Sequence, residues 1–120
     1  MAEKFLGLRS LIYPAPDIEK SRSWWSQILG KQPYFDDGGY VGFDVGGFEI
    51  GLNSHSLHSQ GPVTYVGVSD LAKAVNEMKL AGAKVLSDPM DVGGGIRLAE
   101  FLSPQGEVFG LIFNPHFKVQ

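Results

Sequence analysis

The chain has no cysteine, which excludes disulfides, thiolate-zinc sites and cysteine nucleophiles together. It also lacks any apolar run near the roughly 20 residues that a membrane-spanning helix needs. The opening Met1-Ala2-Glu3-Lys4-Phe5 has no basic segment leading into an apolar stretch, so no export signal is expected and the protein is placed in the cytoplasm. Positive charge is sparse and scattered: 10 Lys and Arg against 13 Asp and Glu leave a net charge of -3 and no basic stripe. Nucleic acid is therefore not an expected partner. With 120 residues, 43% hydrophobic and 19% charged, the chain reads as one globular domain over 1–120, large enough to bury an apolar core without staples.

What the chain does contain is one phrase used twice. Asp17-Ile18-Glu19-Lys20 returns as Asp70-Leu71-Ala72-Lys73, and each follows a short apolar run, Leu11 to Tyr13 in one copy and Val63 to Val68 in the other. Each copy ends in a strand carrying Gly-Leu, at Gly51-Leu52 and Gly110-Leu111. A period above fifty residues points to two half-domains rather than a solenoid. The modules run from about 6 to 54 and from about 62 to 115.

Local signals fill in each copy. Leu8 to Tyr13 reads as a strand stopped by Pro14 and Pro16, since proline has no N–H for a ladder. Asp17 is placed to cap a helix whose Ile18, Trp24, Trp25, Ile28 and Leu29 recur at helical spacing and are expected in the core, with Gly30 ending it. Tyr40 to Val45 and Phe48 to Asn53 form a hairpin about Gly46-Gly47. Alternation puts Val41, Phe43, Val45, Ile50 and Leu52 on the helix-covered face and Tyr40, Gly42, Asp44, Glu49, Gly51 and Asn53 on the other.

Ser54 to Pro62, with His55 and His58, has no periodicity and reads as a linker. The second copy gives Val63 to Val68, a helix from Asp70 to Ala81 stopped at Gly82, and strands at Lys84 to Leu86, Ile96 to Leu102 and Val108 to Phe113. Ser103-Pro104-Gln105-Gly106 has the residues of a type I turn. The three glycines within Asp91 to Gly95 suggest a mobile loop or a simple connector.

Two βαβββ modules, an Asp-Ile/Leu helix start and a Pro-x-Gly turn before the last strand resemble the vicinal oxygen chelate superfamily. That group includes glyoxalase I, bleomycin-resistance proteins, extradiol dioxygenases and fosfomycin-resistance enzymes. The resemblance covers Leu8 to Asn114. It implies an α+β fold in which the two modules form a cupped mixed sheet. It also implies a homodimer with cavities at or near the interface, and in many members a divalent metal held by one side chain from the first and last strand of each module.

Carried over residue by residue, those positions fall on Ser10, Val63, Gly110 and either Gly51 or, with a two-residue shift, Glu49. A catalytic metal needs about three nitrogen or oxygen side-chain ligands. Glycine and valine offer none, so no metal cofactor is expected, and the metal-dependent chemistries of the superfamily are disfavoured. His55 and His58 in the linker and His116 in the tail supply no third ligand.

The expectation is a metal-independent small-molecule-binding protein, similar to the bleomycin-resistance proteins that sequester a basic antibiotic. Its ligand site would be lined by Ser10, Ile12, Tyr40, Asp44, Glu49, Asn53, Tyr65, Leu98 and Glu100, with Gly42, Gly51, Gly67 and Gly110 leaving space. Three carboxylates and two tyrosines favour a cationic or aromatic ligand. The alternative is a glyoxalase-like lyase or isomerase. In a metal-independent form, Glu49 or Glu100 would be the general base and Tyr65 or Tyr40 would polarise a carbonyl. In a metal-dependent form, Asp44, Glu49 and Glu100 would make a displaced metal site.

Overall fold

The computed structural model describes residues 5–55 and 61–118. His58 lies outside them. In chain order the elements are β1 (Phe5–Pro14), α1 (Ile18–Leu29), β2 (Phe35–Asp37), β3 (Tyr40–Val45), β4 (Phe48–Asn53), β5 (Val63–Val68), α2 (Leu71–Leu80), β6 (Lys84–Asp91), β7 (Arg97–Leu102) and β8 (Val108–Phe113). This is an α+β chain with mixed strand pairing. None of the described helices is long and apolar enough to cross a membrane. The described residues group into two compact units, 10–55 with 61–62 and 118 in one and 5–9 with 63–117 in the other.

In the first unit the strand order is β2-β3-β4-β1, antiparallel except where β4 returns parallel to β1. Asp17 caps α1 by accepting the Lys20 amide on Oδ1, 3.3 Å away, which satisfies an N–H that has no intrahelical partner. Gly30 ends the helix in the left-handed region at φ 70°. Ala15, Val41, Phe43 and Leu52 form the buried core, with Tyr13, Ile18, Trp25, Leu29, Val45 and Ile50 packed on it.

Only part of the expected helix stripe faces that core. Trp25 stacks on Tyr13 with ring centroids 5.7 Å apart, whereas Trp24 is 55% and Ile28 57% exposed. Residues 18, 25 and 29 lie within one arc of a 3.6-residue helix, while 24 and 28 fall about a quarter-turn to one side. The sheet covers the first arc and not the second.

The second unit repeats the plan as β5-β8-β7-β6, with β5 and β8 parallel and the rest antiparallel. Asp70 caps α2 through the Lys73 amide at 3.1 Å. Val68, Leu71, Ala74, Val75, Ala99, Phe101 and Leu111 are buried together. Strand β6 runs five residues beyond the expected Leu86. Its two register shifts and Pro89 break the alternation that marks a strand, and an edge position tolerates both. The three-residue β2 is too short to leave a periodic signal.

The two histidines that lie among the described residues hold turns rather than drifting in a linker and a tail. His55 Nε2 lies 2.7 Å from the Gly38 carbonyl, and His116 Nε2 lies 2.7 Å from the Gly94 carbonyl. The backbone N–H of each donates to an asparagine two residues earlier, Asn53 and Asn114, at 2.9 Å. Each module thus closes with Asn-x-His folded back onto the glycine turn of its outer hairpin. The segment after β6 is a hydrogen-bonded turn, with Val92 N–H on Ile96 O at 2.9 Å and Ile96 N–H on Gly93 O at 3.0 Å.

Candidate functional site

On the sheet face opposite α1, pairing aligns residues in rows across β1, β4 and β3. The rows are Ser10, Glu49, Asp44, then Ile12, Gly51, Gly42, then Pro14, Asn53, Tyr40. The six expected residues of the first module therefore share one face. In register, Glu49 stands directly opposite Ser10, while Gly51 stands opposite Ile12 as Gly110 stands opposite Tyr65. Asn53 directs its Oδ1 to the His55 amide, so part of its hydrogen-bonding capacity serves the turn. Asp44 Oδ1 accepts the Gly47 amide at 2.8 Å.

Tyr34, in the connection between α1 and β2, completes this face and was not legible in the sequence. Its hydroxyl donates to Glu49 Oε2 at 2.7 Å, and its backbone N–H donates to the Gly42 carbonyl at 2.9 Å. Withdrawal of the hydroxyl from water raises its pKa, and the Glu49 charge, the hydrogen bond to Glu49 and the Asp44 charge push the same way. Tyr34 has no periodic signal because it sits in no helix or strand.

On the corresponding face of the second unit, Tyr65, Gly110 and Glu100 form one row across β5, β8 and β7. Tyr65 is 3% and Glu100 8% exposed, and the Tyr65 hydroxyl donates to Glu100 Oε2. A buried carboxylate without such donors is costly. The Glu100 amide donates to Ser87 Oγ at 3.2 Å. Leu98 stands opposite Ile112 on the same face and is half-buried.

The four glycines expected to leave space are instead seats for neighbouring side chains. A Cβ at Gly110 would come within 3.0 Å of the Tyr65 ring, one at Gly51 within 3.0 Å of the Tyr40 hydroxyl end, one at Gly42 within 3.0 Å of the Glu49 carboxylate, and one at Gly67 within 3.0 Å of Arg9. Real Cβ atoms do not show such separations, so the missing methyl is what lets each side chain lie flat on the sheet. Arg9 lies over Gly67 with its guanidinium 3.8 Å above the Phe117 ring, and desolvation lowers its pKa.

The donor set does not suit a metal. Val63 and Gly110 contribute no side-chain ligand atom, the Tyr65 ring covers Gly110, and of Ser10 and Glu49 at the corresponding positions of the first unit only Glu49 is a strong ligand. Among the described residues no group of three or more His, Asp or Glu is placed to hold a metal ion. A separate hollow of about 340 Å³, lined by Arg22, Ser23, Ser26, Gln32 and Asp36, includes none of the expected site residues.

The sequence profile of the Glyoxalase/Bleomycin resistance protein/Dioxygenase superfamily matches residues 7–111. No curated protein matches the chain in sequence. Among solved structures it is similar to the Mn(II)-bound glyoxalase from Novosphingobium aromaticivorans, with TM-score 0.72, 18% identity, and coverage of 98% of this chain and 42% of that one. It is also similar to methylmalonyl-CoA epimerase from Mycobacterium tuberculosis, with TM-score 0.71, 15% identity, and coverage of 94% and 91%. A methylmalonyl-CoA epimerase in complex with methylmalonyl-CoA and NH4+ gives TM-score 0.70, 12% identity, and coverage of 98% and 100%. At these identities the likeness is one of fold.

Proposed function

The chain belongs to the Glyoxalase/Bleomycin resistance protein/Dioxygenase superfamily, and from that premise we propose that it is a metal-independent small-molecule-binding protein that takes a cationic or aromatic ligand on its polar sheet faces. The observation that carries this reading is the row Tyr65, Gly110, Glu100. Where the superfamily pattern calls for a metal-binding side chain, this chain has a glycine roofed by an aromatic ring, and the ring's hydroxyl is committed to a carboxylate. Aromatic surface beside carboxylates suits a desolvated cation through charge and cation–π attraction, the latter worth roughly 0.5–2 kcal/mol. The epimerase fold-mate captured with NH4+ is in keeping with a small ammonium guest in this fold. A cytoplasmic homodimer is the expected form, and sedimentation should give twice the 13.0 kDa chain mass.

The test is equilibrium unfolding against a panel of cationic, aromatic and neutral compounds. A true ligand at 100 times its dissociation constant raises stability by about 2.7 kcal/mol. If no compound in the panel stabilises the fold, the reading is lost.

One observation favours a catalytic alternative, a metal-independent lyase or isomerase. Glu100 is buried in a fold whose solved relatives include epimerases, and a buried carboxylate can serve as a general base. Since Tyr65 is bonded to Glu100, the two would act as one proton-handling couple. On any substrate found, Glu100→Gln should then abolish turnover, and an unchanged rate would remove this alternative.

A further inference from the structure

We propose that the hollow beside α1 is a second binding site, which takes a small neutral molecule bearing several hydroxyl groups, of sugar or polyol chemistry, with the Ser26 hydroxyl as one of its hydrogen-bonding contacts. The hollow has a volume of about 340 Å³ and is lined by Arg22, Ser23 and Ser26 of α1, Gln32 of the connection that follows, and Asp36 of β2. Small-molecule sites span about 300–1,000 Å³, so there is room for a guest of that kind. Asp36 stands opposite Val41, which belongs to the core on which Ile18, Trp25 and Leu29 of α1 pack. The hollow therefore lies on the helix-covered side of the sheet, away from the row of Ser10, Glu49 and Asp44, and is independent of the binding reading above.

Local structure brings the five residues together. Positions 22, 23 and 26 lie along one flank of a 3.6-residue helix. Gly30 then turns the chain in the left-handed region, with its N–H and that of Lys31 on the Ser26 carbonyl at 2.9 and 3.2 Å. That return carries Gln32 back to the same flank.

The second, independent sign comes from Ser26. Its Oγ is buried and has no hydrogen-bond partner among the described residues. A buried hydroxyl without a partner is destabilising, and serine is a poorer helix former than alanine. For the fold alone, alanine would serve better here. The hollow that Ser26 lines is the adjoining space from which a partner can come, and rotation about χ1 re-aims the hydroxyl without moving the helix.

The lining also selects the chemistry of the guest. All five side chains are polar, in contrast to the mostly apolar walls of a site for an aromatic compound. Arg22 donates through Nη1 to Asp36 and through Nη2 to Glu19, so the one cation of the lining is committed to two carboxylates. An anionic guest would have to compete with those carboxylates, and a cationic one with Arg22. Ser23, Ser26 and Gln32 are neutral and both donate and accept, as the hydroxyls of a polyol do. Asp36 accepts Arg22 on Oδ2, and its Oδ1 is a further acceptor for a hydroxyl donor.

The experiment titrates the full chain with D-glucose and myo-inositol as neutral probes, and with glucosamine and gluconate as the cationic and anionic counterparts of glucose. Binding is read from amide NMR shifts at Ser23, Ser26, Gln32 and Asp36. At least one neutral probe should give saturable shifts at these amides and bind more tightly than either charged counterpart. Ser26→Ala should weaken that probe about threefold or more, as the loss of one neutral hydrogen bond does, while its urea midpoint stays unchanged or rises. A merely structural serine would show the opposite, a lower midpoint with unchanged binding.

The unliganded NMR spectrum of the variant establishes that it folds. The absence of saturable shifts from both neutral probes, equal or tighter binding of glucosamine or gluconate, or unchanged binding in folded Ser26→Ala would each overturn the proposal. A lowered midpoint in that variant would overturn it as well, because the hydroxyl would then already serve the fold. Shifts confined to Gly42 and Glu49 would place the guest on the polar face, which removes this site and leaves the earlier reading standing.

Discussion

At the residue scale, the informative positions are glycines defined by what covers them. At Gly110 the covering atoms belong to the body of the Tyr65 ring, held between strands, whereas at Gly42 the nearest atom is the end of the flexible Glu49 side chain. Gly110→Ala should therefore cost about 1–3 kcal/mol as an overpacking change, and Gly42→Ala distinctly less, as measured by urea unfolding. The Tyr34 hydroxyl yields a pH prediction. Its pKa is raised above the ordinary value of 10.0 in the folded protein, so the folded state holds its proton where the unfolded chain releases it. That contribution is fully present below about pH 10 and is lost as pH rises above it. Stability measured from pH 9 to 11 should fall less steeply in Tyr34→Phe than in the parent, and identical slopes would count against the pairing with Glu49.

At the scale of elements, each module uses the same small devices. The Asp17 and Asp70 caps are explicit in the sequence, and replacing either with alanine should cost about 1 kcal/mol. The helix stripe is less legible. Trp24 and Trp25 look equivalent in sequence, yet one stacks on Tyr13 and the other is 55% exposed with its ring edge-on to Trp25. Trp25→Ala should lower stability by about 3 kcal/mol or more and Trp24→Ala by about 1 kcal/mol or less, a contrast that thermal melts of the two variants will register. The Asn-x-His closures were invisible as such, because a histidine bonded to a carbonyl seventeen or twenty-two residues away leaves no local pattern. His55→Ala should speed amide exchange around Gly38 and Gly39, and His116→Ala around Gly94, while leaving the helices unchanged.

At the scale of the whole molecule, the doubled phrase corresponds to two βαβββ modules with matching strand orders. Metal addition tests the reading of the emptied ligand positions. Titration with Mn2+ or Zn2+ should leave the unfolding midpoint unmoved, since a bound metal would raise it, and a specific shift would point to a site outside the positions considered.

The modules, the caps, the hairpin turn and the face on which the polar residues lie can all be read along the chain. Those features depend on local propensity and on periods of 2 and 3.6, which are written along the chain. Folding in three dimensions sets the rest: the glycines are covered rather than open, Glu49 rather than Gly51 faces Ser10, Tyr34 joins Glu49, and the Tyr65 hydroxyl donates to Glu100. Each of those facts depends on the register between strands or on the path of a connection. They are set by contacts between residues far apart in sequence, which no periodicity records.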